Sequence, residues 1–368
     1  MACKYRNMKR ILCLIDTLGI GGAERQMIGL ALYLKQKGYH VDLVTYYDHD
    51  FYAELVKKYG IGSKTLHVKN SRWSKLCAVK NQITEAGGYD WIIAYKGGPT
   101  IIGCLLKILG GKFKLIVSER STNLSVTKYE KIRFFFYRWA DYVVPNAFAQ
   151  GDFICKNFPK LKDKVVPITN FTDTEYFCPI DAKQTSITSF LTTARISHAK
   201  NILNYLRAIK NLKDQGISNV HYDWYGDVQR GEEAYGESVF ALQKELGIED
   251  MITFHPATTD IVGKYQACDI FCLPSIYEGF PNVVCEAMSC GKPIICSRVC
   301  DNPRIVQDGT NGLFFDPNDV DDMTNQLKKI IAMPKEEREL WGKESRKIAE
   351  DMFSSEAFVQ KYINLIES

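Results

Sequence analysis

The sequence predicts an α/β chain of two open, parallel-sheet domains in tandem, and three observations predict it. Apolar runs of strand length alternate with stretches of helical spacing along nearly the whole chain. The alternation breaks once, in a stretch around 165–190 rich in Thr, Pro, Asn and Asp, and then resumes. At 368 residues the chain is long for one compact core, which makes two domains the natural division.

The first strand is "RILCLID" (10–16), a continuous apolar run of the kind that a strand covered on both faces shows. "GIGGAERQMIGLALYLKQKGY" follows, with helical spacing from Met27 to Leu34 and Gly38 as its stop. "HVDLVTYY", "YDWIIAY" (89–95), "FKLIVSE" (113–119) and "DYVVPN" (141–146) continue the set. Strands separated by helices require right-handed crossovers and therefore a parallel sheet. A second set follows: "SFLTTAR" (189–195), "VHYDWYGD" (220–227), "MITFHP" (251–256), "DIFCLPS" (269–275), "PIICS" (293–297) and "GLFFD" (312–316). The expected layout is a first domain over 1–170, a linker over 171–188, a second domain over 189–350 and a closing segment over 351–368.

With 46% hydrophobic and 24% charged residues, the composition is that of an ordinary globular protein. No apolar run reaches the roughly 18 residues needed to cross a bilayer, and the basic start runs directly into a strand without a secretory cleavage pattern. The expectation is a cytoplasmic protein. Of the 12 cysteines, Cys13, Cys272 and Cys296 lie inside apolar strand runs, and the CxxxC pairs Cys268/Cys272 and Cys296/Cys300 lack zinc-knuckle spacing. Reduced structural thiols are expected, and no metal site. The acidic clusters "DHD" (48–50) and "DVDD" (319–322) read as a strand end and a helix start. Charge is asymmetric: residues 1–170 carry 27 Lys and Arg against 13 Asp and Glu, and the remainder carries 20 against 30. One half is thus suited to something anionic, although no nucleic-acid reading motif occurs.

Ligands of open α/β sheets bind beyond the carboxyl ends of the strands, so motifs at those ends carry most weight. After the first strand, Gly21 and Gly22 allow a tight turn and close approach of an anion to a helix N-terminus. After the strand at 189, Arg195 and Lys200 can clamp a diphosphate, Arg as a bidentate donor and Lys as a point charge. Gly226 and Asp227 end another strand, and glycine there permits close packing against a planar ligand. In "EGFPNVVCEAMSCGKPII" (278–295), Pro281 suits the first helical position. Asn282 and Val283 then offer first-turn amides as a phosphate seat. Glu278 lies in the loop and Glu286 about one turn into the helix, both placed to accept hydrogen bonds from sugar hydroxyls.

Glu278-x7-Glu286 resembles the E-x7-E element of retaining nucleotide-sugar glycosyltransferases of the GT-B fold, family 4 (group 1 glycosyltransferases). The resemblance extends through "GGAER", "ARISHAKN", "YGD" and "DGTNGLFFDPND", in the family's order and over nearly the whole chain. It implies two Rossmann-like doubly wound domains facing across a cleft, with a final helix around 351–366 crossing back to the first domain. It implies that Arg195 and Lys200 bind the donor diphosphate together with amides at Asn282 and Val283. Glu278, Gly279 and Phe280 would then contact the transferred sugar, Glu286 the ribose, and Phe254–Ala257, with Pro256, the base. Gly21 and Gly22 would approach the diphosphate. No metal is implied and no cofactor besides the nucleotide-sugar donor, with UDP the expected nucleotide. Where many members carry a His, this chain reads Ser118, Glu119 and Arg120, which makes Glu119 and Arg120 further site candidates.

The implied partners are a nucleotide sugar and a glycan or lipid-linked glycan acceptor of surface polysaccharide, held by the basic first half. "TKYEKIRFFFYRWADYVV" (127–144) mixes cations and aromatics as a peripheral membrane helix does, which points to an anionic inner membrane surface; a buried crossover helix fits the same pattern. A nucleotide-sugar epimerase on this fold and a nucleotide-sugar-binding regulatory module are the alternative functions.

Overall fold

The computed structural model describes residues 8–19, 21–48, 51–68, 71–123, 125–180 and 187–368. Part of the expected linker (181–186) and two residues of "DHD", His49 and Asp50, lie outside them. The chain forms two units, Met1–Phe171 with Ser355–Ser368, and Thr172–Ser354.

The first unit holds a parallel sheet of six strands: β1 (Arg10–Leu14), β2 (His40–Thr45), β3 (Gly62–Thr65), β4 (Trp91–Tyr95), β5 (Lys114–Glu119) and β6 (Tyr142–Pro145). Their order is β3-β2-β1-β4-β5-β6. The second unit repeats the pattern with β7 (Thr188–Thr193), β8 (Val220–Tyr225), β9 (Ile252–His255), β10 (Ile270–Leu273), β11 (Ile294–Ser297) and β12 (Gly312–Phe315). Their order is β12-β11-β10-β7-β8-β9. Each sheet is doubly wound. The chain direction of the order reverses between β1 and β4 in one unit and between β7 and β10 in the other, and a crevice opens at such a reversal beyond the carboxyl ends.

Central strands are apolar along their length because helices cover both faces; Ile11 to Leu14 and Ile270 to Leu273 are fully buried. β3 departs from the sequence reading, which has no strand there. "GSKT" is polar and pairs only with β2, an edge position that needs no apolar run. The expected linker also differs in part. Residues 172–180 belong with the second unit, where Phe177 is buried against the Tyr265 ring at 5.8 Å. Arg346 Nη1 donates to the carbonyls of Thr174, Phe177 and Ser289 at 2.7–2.8 Å, fixing that segment.

The last helix, Ser355–Glu367, completes the first unit. Its buried face of Phe358, Val359, Tyr362, Leu365 and Ile366 joins the core formed by Ile11, Cys13 and the helix Gly22–Gln36. Phe358 sits 5.1 Å from the Phe171 ring, and Tyr362 shares a 2.9 Å hydrogen bond with buried Tyr95. Phe358→Ala should therefore destabilise the first unit by about 3–5 kcal/mol in urea unfolding; a loss under about 1 kcal/mol would show that this helix contributes little.

Candidate active site

In the second unit the crevice between β7 and β10 is bridged by an ion pair. Lys200 Nζ lies 2.6 Å from Glu278 Oε1, with side-chain exposures of 18% and 11%. The chain past β7 makes a short 3₁₀ turn, His198–Lys200, and Asn201 then takes a left-handed conformation (φ 56°). Asn201 Nδ2 donates to the Pro317 carbonyl at 2.7 Å, and the Ile276 amide donates to the Ala199 carbonyl at 2.9 Å. These bonds tie the Lys200 loop to the loop after β10. Glu278 is held from its other side. Ser275 Oγ donates to the same Oε1 at 2.6 Å, and the Glu278 amide donates to Cys300 Sγ at 3.4 Å. Among the described residues Oε2 has no hydrogen bond, so one carboxylate oxygen stays available to a hydroxyl donor. Arg195 lies exposed at the end of β7's extension. His198, between the two cations, pairs with Glu232 at 2.9 Å, and its amide and ring hold that carboxyl below the usual range.

Helix Asn282–Ser289 begins as the sequence suggests, with two differences. Pro281 is its cap, with φ −81° and ψ 73°, and not its first helical residue. The Asn282 amide is already bonded to the Phe280 carbonyl at 2.9 Å, closing a tight turn, while Val284 and Cys285 amides return to Pro281. Of the two amides expected to seat a phosphate, that of Asn282 is thus already engaged. Gly279 is half-buried, and Phe280 is buried with its ring 5.8 Å from that of Phe353. Glu286 is half-buried and accepts from Tyr265 Oη at 3.0 Å; Tyr265 is in turn 2.7 Å from Thr193 Oγ1. Burial, then the Glu286 charge, keeps the Tyr265 phenol protonated, so it acts as a fixed donor.

Gly226 has a different reason from the one read in the sequence. Its φ is +154°, and a Cβ would meet the Ala194 carbonyl at 2.1 Å. That carbonyl also accepts from Trp224 Nε1 at 2.8 Å. Glycine at this position allows β8 to pack on β7. Asp227 Oδ1 accepts the Ala257 amide at 3.2 Å, which holds the exposed turn containing Pro256.

In the first unit, the two candidates that replace the family's His part company. Glu119 is 1% exposed, salt-bridged to Arg133 at 3.0 Å and hydrogen-bonded by Tyr137. Burial raises its pKa, against the opposing pull of Arg133 and Tyr137. It is sealed within the unit and reaches no surface. Arg120 is half-buried, with its guanidinium 4.5 Å from the Tyr95 ring centroid and Nη2 bonded to Asn170 Oδ1.

The sequence reading missed a cluster at the β1/β4 crevice. Lys96, just past β4, lies 3.0 Å from Asp16 Oδ1, just past β1, and 2.5 Å from Glu24 Oε1. Burial works against the Lys96 charge, but the bonds from Glu24 and Asp16 outweigh it and hold its pKa above normal. Lys96 has φ 69° and ψ 161°, a region that is nearly glycine-only. Gly21 also has a local reason. Its φ of −177° is ordinary extended backbone, and a Cβ would meet Glu24 Oε2 at 2.1 Å. Gly21 makes room for Glu24, whose acid already complements the helix N-terminus; Gly22 faces open space.

Among the described residues no group of three or more His, Cys, Asp or Glu is arranged to hold a metal ion. In "DVDD", Asp319 caps a helix by accepting the Asp321 and Asp322 amides. Burial pushes the Cys268 and Cys272 thiols up to about 12.

Comparisons with known proteins agree on the class. In a structure of Anabaena HepE in complex with UDP, 20% identical, 98% of this chain superposes on 100% of that one with a TM-score of 0.81. The fold is that of the GT-B glycosyltransferases. Residues 181–348, nearly all of the second unit, match the family described as glycosyl transferases group 1. An uncharacterized glycosyltransferase of Haemophilus influenzae is 32% identical over 154 residues, 41% of this chain but only 42% of that protein. The N-acetylgalactosamine-N,N'-diacetylbacillosaminyl-diphospho-undecaprenol 4-alpha-N-acetylgalactosaminyltransferase of Campylobacter jejuni is 24% identical over 343 residues, covering 88% of this chain and 90% of that one. Residues 181–348 of this chain thus resemble the group 1 glycosyltransferases, over less than half of its length.

The backbone strain at Lys96 yields a test that separates it from the ion pairs. Lys96→Ala and Lys96→Gly both remove the charge, but only Gly relieves the backbone. Denaturant unfolding should find the Gly variant more stable than the Ala variant by about 1–3 kcal/mol. Equal stabilities would remove the strain argument.

Proposed function

We propose that this chain is a retaining glycosyltransferase of family 4 that moves a hexose or N-acetylhexosamine from a UDP-sugar to a lipid-linked acceptor of surface polysaccharide, without a metal. The Lys200–Glu278 pair in the β7/β10 crevice carries the reading: a fixed cation and a half-open carboxylate share the position where doubly wound sheets bind ligands. UDP in the Anabaena structure and the diphospho-undecaprenol acceptor in the Campylobacter relative's name support the choice of donor and acceptor.

Departure of UDP develops negative charge on the diphosphate, and cations already in place stabilise it without reorganising at that moment. Arg195 and Lys200 supply that charge, and the Val283 amide adds a dipole. Glu278 orients the sugar by accepting from its hydroxyls through Oε2, and Glu286, aligned by Tyr265, takes the ribose. The acceptor is deprotonated by the leaving phosphate on the same face, which retains the anomeric configuration. Arg120 and Lys96 meet the acceptor's anionic part, whereas Glu119 acts from inside by holding Arg133.

Arg133 also anchors the helix Lys128–Phe136, which buries Glu130, Arg133 and Phe134. Tyr129, Ile132, Phe135 and nearby Trp139 remain exposed, with Lys128, Lys131 and Arg138 exposed beside them. Aromatic and aliphatic side chains bordered by cations suit the interface of an anionic leaflet. No helix among the described residues is long and apolar enough to cross a membrane. Contact with the inner face of the cell membrane would then be peripheral.

Two outcomes follow. In EDTA-containing buffer, a UDP-sugar panel with a lipid-linked acceptor should give transfer with retained configuration. Glu278→Ala should lower turnover about a hundredfold while leaving UDP affinity within about threefold. An unchanged rate refutes the role of Glu278, and EDTA-sensitive transfer refutes metal independence. Separately, binding to phosphatidylglycerol vesicles should weaken at least about tenfold in Lys128→Glu/Lys131→Glu. Absence of vesicle binding at any salt concentration would reject the membrane contact.

A further inference from the structure

At the opposite, amino-terminal edge of the second sheet lies a cavity of about 520 Å³ that belongs to no part of the donor site. Five cations line it, Lys292, Lys335, Arg338, Lys343 and Arg346, against two carboxylates, Asp269 and Glu339. The excess is three positive charges, in a unit whose half of the sequence is otherwise acidic.

The carboxylates do little to neutralise these cations. Asp269 Oδ2 is engaged by the Ser189 amide at 2.8 Å and the Ser189 hydroxyl at 2.9 Å. Glu339 reaches Lys335 only at 3.7 Å. Lys292 is 8% exposed and donates to a neutral acceptor, the Gln266 carbonyl, at 2.9 Å. Arg338 donates to the Thr188 hydroxyl at 3.2 Å, and Lys343 pairs with no carboxylate among the described residues. Arg346 is pinned by three carbonyls and by Glu350 at 2.7 Å. A buried ammonium facing a neutral carbonyl is costly unless an anion completes its environment. Lys292, Arg338 and Lys343 converge on a concave site with no carboxylate partner among the described residues, which is what anion recognition requires.

We propose that this cavity is a second anion site and binds a diphosphate-bearing small molecule. Three cations without a carboxylate partner, Lys292, Arg338 and Lys343, match a diphosphate rather than a monoanion. The site has two parts. Lys292, Arg338 and Arg346 form a fixed base, locked by the bonds above. Lys335 and Lys343, both exposed on the helix Lys335–Phe353, form an outer rim. The cavity also touches Cys290 and Gly291 at the end of the helix Asn282–Ser289. Ser289's carbonyl, in the last turn of that helix, accepts from Arg346. The proposal does not depend on the glycosyltransferase reading, because the cavity's residues are separate from those assigned to the donor.

Isothermal titration calorimetry with inorganic pyrophosphate at constant ionic strength tests it, using the full chain in three forms. Arg195→Ala/Lys200→Ala removes the donor clamp and should still bind pyrophosphate saturably. Lys335→Glu/Lys343→Glu added to that variant should leave its melting temperature unchanged, because both side chains are exposed, and should lower its remaining affinity at least about tenfold. Lys335→Gln/Lys343→Gln should lie between, which guards against a folding defect in the charge-reversed form. Any other pattern overturns the proposal: unchanged affinity when the Lys335/Lys343 changes are added to Arg195→Ala/Lys200→Ala, loss of binding in Arg195→Ala/Lys200→Ala itself, or no saturable binding at all.

Discussion

The arrangement depends on a lysine and a carboxylate meeting across the crevice where each sheet reverses its strand order. In the second unit Lys200 comes from the β7 side and Glu278 from the β10 side, 2.6 Å apart. In the first unit the signs are exchanged, with Asp16 after β1 and Lys96 after β4, 3.0 Å apart. Two adjacent strands of a parallel sheet end side by side, and the helices that follow them leave to opposite faces. The gap has walls but no filling. An unpaired charge placed there would bear a desolvation cost; the Lys200–Glu278 pair offsets it and, among the described residues, leaves donors on the ammonium and one carboxylate oxygen available. That residual capacity is what a polyhydroxylated, phosphate-bearing ligand can use.

Around this pair the second unit is organised to keep it from moving. Backbone bonds join the loops after β7 and β10, Asn201 anchors the turn to Pro317, and Ser275 holds Glu278. Ser297 Oγ in turn bonds the Ser275 carbonyl at 2.5 Å, and Asn302 Nδ2 bonds the Ser297 carbonyl at 2.8 Å. The chain of polar contacts runs from the ligand-facing carboxylate into the body of the unit. Such support is what preorganisation requires: charged groups held in place before any ligand arrives.

Much of this could be read from the sequence, and the limits have physical causes. Strands covered on both faces announce themselves as apolar runs, so β1, β4 and β10 were legible; β3, polar and at an edge, was not. Glu278 and Glu286 were legible because their spacing lies within one loop–helix unit. The Asp16–Lys96 pair was not, since 80 residues separate partners that only the strand order brings together. Glycines misled for a related reason. Gly21 and Gly226 looked like room for a ligand, but the missing Cβ at each accommodates a neighbouring part of the same unit, the Glu24 carboxylate and the Ala194 carbonyl. Glu119 looked available at a strand end, and its burial against Arg133 and Tyr137 is a property of the packed helix alone.

A nucleotide-sugar donor held at the β7/β10 crevice would change the exposure of the loops that border it. Amide hydrogen exchange with and without saturating UDP locates the ligand on the full chain directly. Protection confined mainly to the loop around 194–201 and to the segment 276–286 is the predicted result. UDP binding that leaves both segments unchanged, or that protects residues elsewhere in their place, would contradict it.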